Sequence, residues 1–240
     1  GDDHLTNTVR QLQIYKALEW ELPIFAHMPL LHGSDGSKLS KRHGALGVEK
    51  YREMGFLPEA VNNYLLRLGW SHGNDELISQ EDAIKWFKIE KIGKSAARFD
   101  LDKLNNLNGH YIKKCNNQRL INLIKPDIIK SLKNKLSPEM ENRLNIGIEN
   151  LKIRATTIKE LAENALVYCV ERPIDIKGNS MKSLDENGLK FIKMAYNRLN
   201  KLELWNEKNL KETIQLIAKE SNISLGKIAQ PIRTALCGSM

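Results

Sequence analysis

A chain of 240 residues with 41% apolar content is long enough for one large domain or two to three small ones with real cores, which excludes a disordered ground state. Its net charge of +8 is unevenly placed: residues 1–110 carry 14 Lys and Arg against 15 Asp and Glu (−1), whereas residues 111–240 carry 23 against 14 (+9). Three widely spaced cysteines, Cys115, Cys169 and Cys237, exclude a disulfide framework and a zinc set and fit a reducing cytoplasm, and no apolar run approaches the roughly 20 residues of a membrane span.

Gly1-Asp2-Asp3-His4 reads as interior sequence rather than as a leader. The one strand expected is Ile24-Phe25-Ala26-His27-Met28, apolar and bounded by Pro23 and Pro29. Residues 58–69 describe a short amphipathic helix, with Pro58 at its start, Val61, Tyr64, Leu65 and Leu68 on one face and Gly69 as a stop. Ser79 is placed to cap a second helix with an acidic first turn, ahead of Ala83, Ile84, Trp86 and Phe87. A third follows Asp100, burying Leu101, Leu104 and Leu107, and is expected to end at Asn108-Gly109. Further on, Thr157-Ile158-Lys159-Glu160 is a capping box before a stripe of Ile158, Leu161, Ala162, Ala165, Leu166 and Cys169. Pro173 breaks the chain, and the polar loop Lys177-Gly178-Asn179-Ser180 marks a boundary between two helical bundles. Three helices complete the pattern: one through Leu189, Ile192, Tyr196 and Leu199, one through Leu210, Ile214 and Ile217, and one from Ser224 that contains Pro231 and should kink there.

The chemistry sits in Lys38-Leu39-Ser40-Lys41-Arg42, led in by Pro29-Leu30-Leu31-His32-Gly33-Ser34-Asp35-Gly36-Ser37 and followed by His43-Gly44. Two lysines and a hydroxyl in a loop of small residues suit a polyphosphate. When pyrophosphate leaves an α-phosphate, negative charge grows on the leaving group, and preplaced ammonium groups stabilise it more than they stabilise the ground state. The glycines lack Walker A spacing, so this is a different kind of phosphate loop.

With its flanks the loop resembles the signature loop of class I aminoacyl-tRNA synthetases, in its glutamyl-tRNA synthetase version. The resemblance also rests on Gly1-Asp2-Asp3-His4-Leu5 with Asn7-Thr8, on Gly55-Phe56-Leu57-Pro58-Glu59-Ala60 to Leu68-Gly69-Trp70-Ser71, on Phe99-Asp100 with Tyr111-Ile112, and on Ala229-Gln230-Pro231-Ile232-Arg233. It is densest in the first 112 residues and thin over residues 113–222. It implies a mainly α fold: the end of a Rossmann-type catalytic domain over residues 1–47, a helical stem-contact domain over 48–110, and a helical anticodon-binding region over 111–240, in two bundles with a boundary near 176.

The resemblance further implies ATP-dependent activation of glutamate and its transfer to the 3′ end of tRNA(Glu). Lys38 and Lys41 would be catalytic, and Lys41, Ser40, His4, Asp3 and Leu31 would bind ATP, which enters with Mg²⁺ as a co-substrate; no zinc site is implied. His4 reads equally well as an ordinary surface histidine and Leu31 as plain core. Lys113, Lys114, Arg119, Lys130, Lys133 and Lys135 are candidate tRNA phosphate contacts, each of which also reads as a solvated cation. The family's His-Ile-Gly-His type motif has no match here, so the chain reads as a C-terminal fragment, expected to bind tRNA without activating glutamate on its own, with its last bundle also truncated. A non-catalytic tRNA-binding module is the alternative. The helical periodicity argues against the glutaminyl relative, which reads the anticodon with β-barrels. A monomer is the family's usual form, and whether tRNA(Gln) is a further partner stays open.

Overall fold

The computed structural model describes residues 1–39, 47–171, 174–176 and 178–238. The described chain is mainly helical, as its periodicity predicts, with a single two-stranded sheet. It forms two compact units, Gly1–Leu166 and Val167–Met240. Pro173 and Lys177, the expected break and loop start, lie outside the described residues.

The first unit opens with one 3-10 turn, Asp2–His4, and helix α1, Leu5–Ala17, which buries none of its residues. The expected strand at residues 24–28 does not form. Ile24 is 96% exposed, and among the described residues the segment has no partner strand; the flanking prolines remove two of the backbone donors that pairing would use. The strand lies just beyond it: β1, Leu31–His32, pairs in parallel with β2, Ala97–Arg98, in the register Leu31 to Ala97 and His32 to Arg98.

Helices α2, Val48–Glu53, and α3, Pro58–Arg67, follow, and then α4, Gln80–Trp86, whose cap is Ser79 accepting from the Asp82 amide at 3.0 Å. Helix α5, Leu101–Lys114, starts where Asp100 accepts from the amides of Asp102 and Lys103. α3 packs on α5 around Tyr51, Phe56, Val61, Tyr64, Leu68 and Leu104, with Leu31 and Phe99 against the same cluster. The Tyr64 hydroxyl accepts from the Asp100 amide at 2.6 Å and so ties the end of β2 to α3.

α5 runs past its expected stop. Asn108 does not cap it, because its fully buried side chain is committed to tertiary bonds: its Oδ1 accepts from the Leu57 amide at 2.8 Å and its Nδ2 donates to the Thr156 carbonyl at 2.6 Å. Gly109 beside it lies within the helix against the 155–156 backbone, where even a Cβ would make only ordinary contact at 3.5 Å, so it does not stop the helix. The 55–57 turn, α5 and the 155–158 segment thus meet at one amide, and the Ile158 amide adds a bond to the Gly55 carbonyl at 2.9 Å.

Helices α6, Asn117–Leu132, and α7, Pro138–Lys152, pack on each other with Leu120, Ile124, Ile128, Leu144 and Ile148 fully buried. Helix α8, Ile158–Cys169, begins at the predicted box: the Glu160 amide bonds to the Thr157 hydroxyl at 3.1 Å. The reciprocal arm lands one residue earlier than expected, with Glu160 accepting from the Thr156 amide at 2.7 Å.

In the second unit α9, Glu186–Leu199, α10, Glu207–Glu220, and α11, Leu225–Cys237, enclose Phe191, Ala195, Ile217, Ala218 and Ile228. Asp185 caps α9 through the Gly188 amide at 2.7 Å. Only glycine fits at 188, because a Cβ would lie 2.0 Å from the Ser183 carbonyl oxygen and 3.2 Å from Pro231. Pro231 sits inside α11 and is buried.

Candidate functional site

Strand β1 ends in a tight reversal. Gly36 takes φ +78°, its amide bonds to the Gly33 carbonyl at 3.0 Å, and the Gly33 amide reaches the Ser37 carbonyl at 2.9 Å. Asp35 braces the inside of the turn by accepting from the Ser37 amide and hydroxyl at 3.0 and 2.9 Å. His32 Nδ1 lies 2.8 Å from the Gly36 carbonyl oxygen, which only accepts, so Nδ1 carries the proton. The Leu39 amide then returns to the Leu31 carbonyl at 2.8 Å, and Lys38 bridges antiparallel to His32. The result is a stiff small hairpin that delivers Lys38.

Lys38 Nζ meets Asp3 Oδ2 at 2.6 Å, with the lysine side chain 54% exposed. The Lys38 hydrogen bond holds the Asp3 carboxyl below the ordinary carboxylate range. Asp3 is itself anchored from both sides of its turn: the Asp2 amide donates to the Met28 carbonyl at 3.1 Å, and His27 bridges the Gly1 carbonyl and the Thr8 hydroxyl. His4 is exposed, accepts at Nδ1 from the Asn7 amide group at 3.0 Å, and places Nε2 3.9 Å from Asp3 Oδ2. Asp3, His4 and Lys38 therefore stand together, with half-buried Leu31 at the base of the hairpin. Ser40 and Lys41, with Arg42 and His43-Gly44, lie outside the described residues.

The candidate tRNA contacts fall in two groups. Lys113 and Lys114 end α5, near Arg119 in the first turn of α6; Lys130, Lys133 and Lys135 surround the end of α6, where Lys133 takes φ +56°. All five lysines are exposed, and none enters a salt bridge among the described residues. Arg119 is engaged: its Nη1 lies 2.7 Å from Glu59 Oε1, clamping α6 to α3. Burial raises the Glu59 carboxyl, but the Arg119 hydrogen bond and charge outweigh it and hold the group below its usual range. Among the described residues no cluster of three or more His, Cys, Asp or Glu side chains could hold a metal, and no helix is long and apolar enough to cross a membrane. Sequence reading gave no role to His32 and Asp35 and took Asn108 for a helix stop; the Gly-Ser-Asp-Gly-Ser run signals the turn that uses the first two, and nothing local signals the tertiary bonds of the third.

Two family models divide the chain between them. Residues 1–106 match the catalytic domain of class I tRNA synthetases of the E and Q type, and residues 106–240 match an anticodon binding domain. The chain is 50% identical over its whole length to glutamate–tRNA ligase 2 of Paramagnetospirillum magneticum and 47% identical to that of Rhodospirillum rubrum, of which it covers 50% and 51%. The chain thus spans about half the length of the curated relatives it matches. Among solved structures, a glutamate tRNA ligase from Elizabethkingia meningosepticum in complex with its amino acid superposes with a TM-score of 0.77 at 26% identity, over 100% of this chain and 51% of that one. Matched along its whole length by a catalytic and an anticodon-binding model and by these relatives, the chain belongs to the glutamyl-tRNA synthetase family of class I aminoacyl-tRNA synthetases.

Proposed function

We propose that this chain supplies the phosphate-handling loop and the tRNA-binding half of a glutamate–tRNA ligase. The observation that carries the reading is the hairpin that delivers Lys38 beside Asp3 and His4, in a chain whose helical remainder holds the excess positive charge. In the reaction, a glutamate carboxylate oxygen attacks the α-phosphorus of ATP, brought in with Mg²⁺, and the bond to the bridging oxygen breaks to release pyrophosphate. Lys38 and Lys41 neutralise the charge that grows on the pyrophosphate, and Ser40 adds a hydroxyl donor. A tRNA 3′-terminal hydroxyl then attacks the adenylate carbonyl, forming the ester and releasing AMP. His4, Asp3 and Leu31 line the nucleotide side, with the Asp3 carboxylate holding Lys38 in place until phosphate competes for it.

In this reading residues 1–47 are catalytic, 48–110 contact the stem and 111–240 the anticodon side, with Lys113, Lys114, Arg119, Lys130, Lys133 and Lys135 on the backbone. The ligase is a cytoplasmic monomer acting on tRNA(Glu), and charging assays with tRNA(Glu) and tRNA(Gln) side by side decide whether the second is also an acceptor. The exposed apolar residues around α1, among them Val9, Ile14, Trp20 and Ile24, fit a surface that further catalytic-domain structure covers. The 240-residue chain by itself binds tRNA and does not activate glutamate.

The span of only half the relatives' length favours a second reading, a module that holds tRNA without chemistry. Titrating the 240-residue chain with tRNA(Glu) over a salt series, beside glutamate-dependent ATP–pyrophosphate exchange, tests the first. Salt-sensitive binding without exchange is expected; exchange by the chain alone would overturn its inactivity, and absence of tRNA binding would overturn both readings. Restored exchange on adding the other half of a relative's catalytic domain would separate ligase part from binding module.

A further inference from the structure

α3 packs on α5 and α6 packs on α7, and between α3 and α6 runs a groove of about 620 Å³. Its floor is apolar: Tyr51, Phe56, Leu57, Val61 and Ile158 line it and are all buried. Pro58, Leu123 and Pro126 form exposed apolar lips. α6 turns one face to the groove, from Arg119 through Leu123 to Asp127, a rise of about 12 Å along the helix. Ion pairs brace that face at both ends. Arg119 Nη1 lies 2.7 Å from Glu59 Oε1 of α3, and Lys159 Nζ of α8 lies 2.9 Å from Asp127 Oδ1. Behind the floor, the bond from the Ile158 amide to the Gly55 carbonyl joins the 55–57 turn to the start of α8. The groove is therefore preformed, and a ligand entering it breaks no core contact. One charged group of the lining is left over: Arg52, exposed at the edge, has no ion pair among the described residues.

We propose that this groove binds a small organic anion with an apolar body, a medium-chain carboxylate, whose chain lies on the floor between α3 and α6 and whose carboxylate meets Arg52. Size and place both favour a small-molecule site: the volume is that of a ligand pocket, and the groove lies where two regions join, with α3 inside the part matched by the catalytic model and α6 inside the part matched by the anticodon-binding model. Charge selects the head group. A guanidinium pairs with both oxygens of a carboxylate, a neutral head would leave Arg52 unanswered, and a cationic head would be set against it. A bare inorganic anion makes no use of the apolar floor. Once bound, the ligand adds contacts between α3 and α6 and so ties the two matched regions together. The site needs no RNA, and its success or failure leaves the tRNA reading as it stands.

The test titrates octanoate, 1-octanol and octylammonium, one chain with different head groups, into the 240-residue chain while methyl NMR spectra are recorded. Octanoate is expected to shift the methyls of Leu57, Val61, Leu123 and Ile158 together and saturably, with 1-octanol weaker and octylammonium weakest, and to raise the melting temperature. Arg52→Gln should weaken octanoate about threefold, the modest share that an exposed ion pair carries, and leave 1-octanol unchanged. Arg52→Lys should recover part of that loss. Leu123→Glu, at a position already 40% exposed, sets a carboxylate in the groove and should abolish octanoate binding. Circular dichroism melting checks its fold, and if it does not fold, Arg52→Gln and the head-group series decide. The absence of a saturable shift at these methyls, or shifts confined to the exposed apolar residues around α1, would overturn the site. Equal affinity for all the head groups, or unchanged octanoate affinity in Arg52→Gln, would overturn the anion assignment.

Discussion

Replacing Asn108 with alanine leaves the Leu57 amide and the Thr156 carbonyl unpaired in a fully buried position. Each such orphan costs about 1–3 kcal/mol, so with two of them Asn108→Ala is expected to lower stability by about 2–6 kcal/mol in urea unfolding of the first unit. Asp3 makes a different prediction. Its carboxyl is lowered by Lys38, so the contribution of their contact is fully present above the ordinary aspartate range and fades as pH falls through the lower folded value. Carboxyl carbon NMR should therefore show Asp3 titrating below an ordinary aspartate, and Lys38→Met should return its midpoint toward 3.8. Little of this was legible residue by residue. Lys38 and Asp3 are 35 positions apart and nothing local joins them, so only the family resemblance put them at one site. Asn108 misled outright, because a buried amide bonded across the fold has the same spelling as one that ends a helix.

At the level of elements, legibility followed how local the signal is. α3, α4, α9 and α10 have a cap or proline at their start and an apolar stripe within each, and α8 has its box; all of that is written within a few neighbouring residues. α6 and α7 went unread although Asn116 and Ser137 cap them. Pro126 inside α6 looks like a break, and the lysines and asparagines around it dilute the stripe of Leu120, Ile124 and Ile128. The strand at residues 24–28 failed for the opposite reason: an apolar spelling suffices for a strand only when another strand stands beside it. Gly188 supplies the prediction at this scale. Gly188→Ala drives a methyl into the Ser183 carbonyl and toward Pro231, where α9, α11 and the 178–184 turn converge. The second unit should lose about 3 kcal/mol or more, seen as early loss of its amide protection in hydrogen exchange, with α3 and α5 unaffected.

For the molecule as a whole, the mainly α class and the positive second half were open to the sequence, whereas the distances between charged groups were not. One such distance sets a scale. Helix α6 has 16 residues and is therefore about 24 Å long, with Lys113 and Lys114 just before its start and Lys130, Lys133 and Lys135 at its end. Packed against α7, it keeps the two groups at a fixed separation, like the marks on a ruler. At roughly 3.4 Å per phosphate along a stacked strand, an RNA must run about seven nucleotides before it can occupy both. Affinity should then depend on length in a step rather than a slope: oligoribonucleotides shorter than about seven nucleotides engage one mark, and longer ones gain the second at high effective concentration. Fluorescence anisotropy with a ladder of oligonucleotide lengths would locate the step, and inserting one turn into α6 should move it to longer strands.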